Sequence, residues 1–100
     1  MNLPLLEPPS FRKELVSVET VRGAVATFEC ELEGTAPFEV TWLKDKKVLS
    51  TDQKYRIVSQ RSMASLEIQS FASADIGEYQ CVVSNEVGSA ASKSVAKPKG

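Results

Sequence analysis

Asp75-Ile76-Gly77-Glu78-Tyr79-Gln80-Cys81 is the stretch on which the fold turns. From Glu78 to Ser84 the residues alternate, so Tyr79, Cys81 and Val83 fall on one face of an extended chain. The residues before it, Ser70-Phe71-Ala72-Ser73-Ala74-Asp75, read as a crossover that ends in a tight corner. Asp75 can accept hydrogen bonds within that corner, and Gly77 lets the chain bend without a Cβ clash. Tyr79 stands two residues before Cys81, where its hydroxyl can reach back to the corner.

Working outward, the same period of two recurs. Ala26, Phe28, Cys30 and Leu32 face one way within Ala24 to Glu33, and Thr27, Glu29, Glu31 and Glu33 face the other. Glu39 to Lys44 places Val40 and Trp42 inward. Tyr55 to Ser59 is a short strand, and Met63 to Gln69 alternates with Leu66 and Ile68 inward. Glu14 to Val21 reads as a first strand with apolar groups on both faces. Ser89 to Ala96 reads as the last strand, but its small residues leave its register and its end open. Asn85-Glu86-Val87-Gly88 reads as a hairpin turn in which Gly88 supplies a positive φ. Short strands with turns at intervals of roughly ten residues, and no helical period, predict an all-β two-sheet sandwich.

Three of the five prolines fall in Met1 to Pro9, which reads as an inter-domain linker with Phe11 as the first residue to dock on a core. The domain is expected over residues 10–97, with an exit tail at 98–100. One hundred residues suffice for one domain and not for two. The absence of histidine removes every Ser-His, Cys-His and His-metal arrangement, so no catalytic residue, cofactor or metal is expected. A net charge of −1 gives no field for nucleic acid, and no apolar run reaches the roughly 20 residues of a membrane helix. Met1 to Ser10 carries no basic stretch followed by an apolar core, so no signal peptide is read there. Glu29, Glu31 and Glu33 read as a solvated outer face, and Lys44-Asp45-Lys46-Lys47 as a polar turn. No N-x-S/T sequon occurs.

Cys30, Trp42 and Cys81 follow one another at separations of 12 and 39. Two cysteines on facing sheets, an indole between them and a tyrosine two residues before the second sulfur together resemble the immunoglobulin sandwich with its Greek-key connections. Cys30, Trp42, Leu66, Tyr79 and Cys81 are then the expected structural core, and Asp75 and Gly77 the corner turn. Cys30 and Cys81 are candidates for a disulfide or for two buried thiols.

Glu7-Pro8-Pro9-Ser10-Phe11, Phe28-Glu29-Cys30 with Glu33-Gly34, and Val40-Thr41-Trp42-Leu43-Lys44-Asp45 narrow the resemblance further, to an intermediate-set (I-set) immunoglobulin domain of the titin family of giant muscle proteins. So do Ala74-Asp75-Ile76-Gly77-Glu78-Tyr79-Gln80-Cys81 and Ser84-Asn85-Glu86-Val87-Gly88. It implies a non-catalytic module in a tandem elastic array, monomeric when isolated, with neighbouring immunoglobulin-like domains and other sarcomeric proteins as partners. It also implies a cytoplasmic, sarcomeric location in which the thiols stay mostly reduced. The competing reading is an extracellular adhesion or receptor domain of the same fold. In the array, pulling on the two ends would shear Val16–Val21 against Ala90–Ala96.

Overall fold

The computed structural model describes residues 5–100; the first four residues of the expected linker, Met1 to Pro4, lie outside the described residues. Among the described residues nine strands follow one another: β1 (Ser10–Lys13), β2 (Val18–Thr20), β3 (Ala26–Glu33), β4 (Glu39–Lys44), β5 (Lys47–Val48), β6 (Tyr55–Gln60), β7 (Met63–Ile68), β8 (Gly77–Asn85) and β9 (Gly88–Pro98). A 3-10 turn at Ser73–Asp75 stands between β7 and β8. One sheet has the order β1-β3-β7-β6 and the other β2-β9-β8-β4-β5. The inward residues of β3 show why the sheets meet. Ala26, Phe28, Cys30 and Leu32 are all buried, while Thr27, Glu29 and Glu33 remain exposed. Beside them in the same sheet lie Leu66 and Ile68, and facing them from the other are Trp42, Tyr79, Cys81 and Val83, in one apolar cluster.

The expected first strand, Glu14–Val21, is corrected to a change of sheet. β1 pairs with β3, and β2 pairs with β9 in the opposite layer. The chain between them turns Leu15 into the core and leaves Val16 66% exposed, which is why apolar residues looked two-faced in sequence. Crossing between layers strips Leu15 of a ladder partner, so its N–H donates to Ser92 Oγ at 3.1 Å. The same hydroxyl donates to Glu14 Oε1 at 3.2 Å.

That contact accounts for the last strand. β9 is eleven residues long, and nine of them run in unbroken antiparallel register with β8, from Gly77↔Ala96 to Asn85↔Gly88. Its inward positions, Ala90, Ser92 and Ala96, are small because the crossing segment and the core fill the space above them. The hairpin glycine is also corrected. Gly88 is not among the positive-φ residues, which include Asp45 and Lys46 of the β4–β5 turn and Gly23, Gly34 and Gly77. Its reason is contact: a Cβ there would meet Pro8 Cβ at 2.8 Å.

Candidate functional site

Three places in the fold bear on what the domain can do: the buried pin between the sheets, the pole where the chain arrives, and the strand pair where it leaves.

The pin comprises the residues singled out in sequence. Trp42 and Cys81 are cross-strand partners, and Cys30 is paired with Ala64. Cys30, Leu66, Tyr79 and Cys81 are fully buried and Trp42 nearly so. The two sulfurs are 4.0 Å apart and unbonded, and Cys30 Sγ lies 3.6 Å from Ala64 O. The contact with Cys30, and then burial, push the Cys81 thiol well above its ordinary value, so it stays protonated. The rings of Phe28 and Tyr79 meet at 5.1 Å with a 36° tilt, a favourable aromatic contact. Among the described residues, Trp42 Nε1 is buried without a hydrogen-bond partner, so its ring contributes by packing.

Tyr79 and Asp75 close the corner. Tyr79 Oη donates to Asp75 O at 2.7 Å. Burial first, then the neighbouring Tyr55 and Asp75, hold the phenol protonated far above the usual tyrosine range. The Asp75 carboxylate accepts from Ala72 N at 2.9 Å and pairs with Lys54 Nζ at 2.6 Å. Lys54 carried no signal in sequence, because the loop before β6 and the corner meet only in the fold. Gly77 leaves room for a second carboxylate: a Cβ there would come within 2.8 Å of Asp45 Oδ2. Asp45 Oδ1 accepts from Glu78 N at 3.1 Å, and that bond, followed by Lys44, holds its carboxyl below the ordinary aspartate value.

At the arriving pole the chain does not dangle. Glu7 N donates to Thr35 Oγ1 at 2.8 Å, and Thr35 N donates back to Glu7 O at 3.2 Å. Asn85 Nδ2 donates to Glu7 O at 2.7 Å and to Thr35 O at 3.0 Å, while its Oδ1 accepts from Val87 N at 3.0 Å. Pro9 is buried, and Pro8 lies between two glycines. A Cβ on Gly34 would meet Pro8 O at 2.7 Å, and one on Gly88 would meet Pro8 Cβ at 2.8 Å. The prolines were legible in sequence; the seat that Gly34, Asn85 and Gly88 make for them was not, since those residues read there as turn formers.

At the leaving pole β2 runs parallel to the end of β9, with Val18↔Ala96, Glu19↔Lys97 and Thr20↔Pro98. This corrects the expected partner range: β2 lies against 96–98, not against the whole of Ala90–Ala96. Parallel pairing points the N–H and C=O of alternate residues at the partner, here those of Val18 and Thr20. Thr20 O accepts from Lys99 N at 2.9 Å. Lys97 Nζ approaches Glu19 Oε1 at 3.8 Å, both half-exposed.

Two layers with this strand order, pinned by a sulfur pair and an indole and closed by a tyrosine corner, define an immunoglobulin-type sandwich. The chain belongs to the immunoglobulin I-set domain family, which matches residues 9–96. It is 33% identical over 82 residues to slow-type myosin-binding protein C of Homo sapiens, covering 82% of this chain and 7% of that one. It is 36% identical over 89 residues to Brother of CDO of Homo sapiens, covering 89% of this chain and 8% of that one. Among solved structures it is similar to the I-band fragment of titin, with TM-score 0.90 and 48% identity over 95% of this chain and 34% of that one. The chain therefore spans under a tenth of the length of these two curated relatives.

Proposed function

We propose that this domain is a non-catalytic, force-bearing module of a giant sarcomeric protein, one folded unit in a tandem array of immunoglobulin-like neighbours, located in the cytoplasm. The observation that carries this reading is the parallel β2–β9 pair set against the seated arrival segment. Eleven residues of β9 span about 34 Å from the Gly88 pole to the Pro98 pole. Glu7–Pro9 is held at the first pole and Lys99 at the second. Tension along the chain therefore loads the bonds at Val18 and Thr20 side by side rather than one after another, and they must fail together.

The likeness to a titin fragment and to a myosin-binding protein supports the muscle setting over the extracellular one. The unbonded thiols, 4.0 Å apart, suit a reducing compartment. The neighbour on the Pro8 side would meet a stiff, fixed exit direction. A non-catalytic role suits a core whose thiols are sealed, since a nucleophile must reach its substrate.

The test is single-molecule pulling of a tandem repeat of this domain. Val18→Pro removes an N–H directed at β9. The expected result is a lower unfolding force with the released contour length unchanged. An unfolding force equal to that of the unaltered domain removes the mechanical reading.

A further inference from the structure

The four edge strands differ in how they are protected. β1 has a register shift between Phe11 and Lys13, two adjacent cations, and the proline pair in front of it. β2 has three residues and β5 only two, the latter beside Lys46. Short strands, bulges, prolines and lysines are the usual means of blunting an edge. β6 has little of this, its one charge being Arg56 and its flanking lysine, Lys54, being drawn to Asp75. It has six residues, Tyr55-Arg56-Ile57-Val58-Ser59-Gln60, in unbroken register with β7 and with no proline, glycine or lysine.

Antiparallel pairing decides which of its backbone groups are free. The two-residue turn Arg61-Ser62 closes on the Gln60↔Met63 pair, so Gln60, Val58 and Arg56 exchange bonds with β7. Tyr55, Ile57 and Ser59 then direct N–H and C=O away from the sheet. Tyr55 has a partner: its N–H donates to Asp52 Oδ1 at 2.9 Å, and its C=O accepts from Asp52 N at 3.0 Å. Ile57 and Ser59 have no such partner among the described residues, leaving two donors and two acceptors on the edge.

Beside this edge lies an open groove of ≈ 500 Å³ lined by Ala36, Pro37, Phe38, Ser59, Gln60 and Arg61. Its walls are apolar at Pro37 and the partly buried Phe38, and its single charged lining residue is Arg61. Arg61 makes no ion pair among the described residues, whereas the acid at the other end of β6, Asp52, is engaged with Lys54 N and Tyr55 N.

We infer that the β6 edge is a docking site for an extended peptide segment of a partner protein that carries an apolar residue followed by a carboxylate. The segment adds a strand to the sheet through the N–H and C=O of Ile57 and Ser59. The side chain opposite Ser59 turns into the groove against Phe38 and Pro37. The carboxylate reaches the Arg61 guanidinium, which fixes the direction of the segment, because Asp52 closes the backbone at the other end and Arg56, the cation there, alternates onto the face opposite Ile57 and Ser59.

The test uses the domain labelled with nitrogen-15 and two synthetic probes, acetyl-TVTVTDE-amide and acetyl-TVTVTKK-amide, titrated to millimolar concentration. The expected result is saturable amide shifts at Phe38, Ile57, Ser59 and Arg61 with the acidic probe, and about tenfold weaker binding of the lysine probe. Ser59→Pro deletes an outward donor without touching the β7 ladder, and is expected to abolish the shifts at unchanged Tm. Arg61→Glu is expected to reverse the preference, and it covers the case in which Ser59→Pro does not fold. The inference is overturned by absence of saturable shifts, by equal affinity for both probes, or by shifts that fall on another face. It is also overturned if the domain without probe dimerises in sedimentation with the same residues shifted, since a second copy is then the occupant.

Discussion

Asn85 Nδ2 donates to Glu7 O at 2.7 Å, joining residues 78 positions apart at the pole where the chain arrives. A second bond to Thr35 O at 3.0 Å ties the β3–β4 connection to the same amide. One side chain thus fastens the incoming segment to two loops. Asn85→Ala is expected to cost about 1 kcal/mol of stability. The more specific readout is hydrogen exchange: the amides of Glu7 and Thr35 should exchange faster while those of β3 and β8 do not. Unchanged protection at both positions would mean that the proline pair alone holds the segment.

The glycines of that seat make a separate prediction. Gly88→Ala places a Cβ 2.8 Å from Pro8 Cβ, although the φ of Gly88 suits any residue. The hairpin should survive and the segment should be displaced. Near-native Tm with lost protection at Glu7 is the expected outcome. A large loss of Tm would show that residue 88 serves the turn itself.

The contrast between Gly88 and Tyr79 shows what could be read from sequence. Tyr79, Cys81 and Val83 alternate on one long strand and are all fully buried, so periodicity alone placed them. The same rule located Phe28, Cys30 and Leu32 on β3. It failed at Glu14–Val21, where the chain changes layers and alternation has no single core to report on. It also missed β1 and β5, four and two residues long, because strands that short present no period. Lys54, Ser92 and Asn85 were invisible as partners, since each acts across a long stretch of chain on a group whose position only the fold determines.

Tyr79→Phe removes the bond to Asp75 O and leaves a buried carbonyl unpaired, which is expected to cost about 1–3 kcal/mol. It also changes the alkaline limb of stability. Burial raises the folded-state phenol above its unfolded value of about 10, so the folded state holds a proton that the unfolded state has released. The resulting contribution is fully present below about pH 10 and is lost as pH rises further. Denaturant melts of the two proteins between neutral and alkaline pH should show a shallower decline for Tyr79→Phe. Tyr55, whose phenol burial also raises, keeps part of the slope in both.

Cys30 and Cys81 make a redox prediction that is independent of any partner. Their sulfurs lie 4.0 Å apart, so a bridge requires only a small approach, and 51 positions of chain would then be enclosed. At about 3.4 Å per residue, roughly 170 Å of extension would be withheld when an oxidised domain unfolds under load. Pulling in reducing and in oxidising buffer should give two contour lengths that differ by that amount. One contour length in both buffers would show that the two thiols do not bridge in the folded domain.

Asp45 links the β4–β5 turn to the corner, and its charge matters in acid. Glu78 N–H, then Lys44, hold its carboxyl below the ordinary value of 3.8. A depressed folded-state value means that the unfolded chain takes up the proton first as pH falls. The stabilising contribution is therefore present above about pH 4 and disappears as pH drops through the lower folded value. Asp45→Asn tolerates the same left-handed backbone, φ 47°, and keeps a side-chain oxygen for Glu78 N–H, so it isolates the charge. Its stability should vary less with pH below about pH 4 than that of the unaltered domain. Gly77→Ala attacks the same contact from the other side, pressing a Cβ to 2.8 Å from Asp45 Oδ2. Gly77→Ala should destabilise the domain, through its φ of 157° as well as this contact, and if Asp45 anchors the corner it should also lose the Asp45 share of the acid sensitivity. Retention of the full acid limb in Gly77→Ala would show that the carboxylate is held by Lys44 alone.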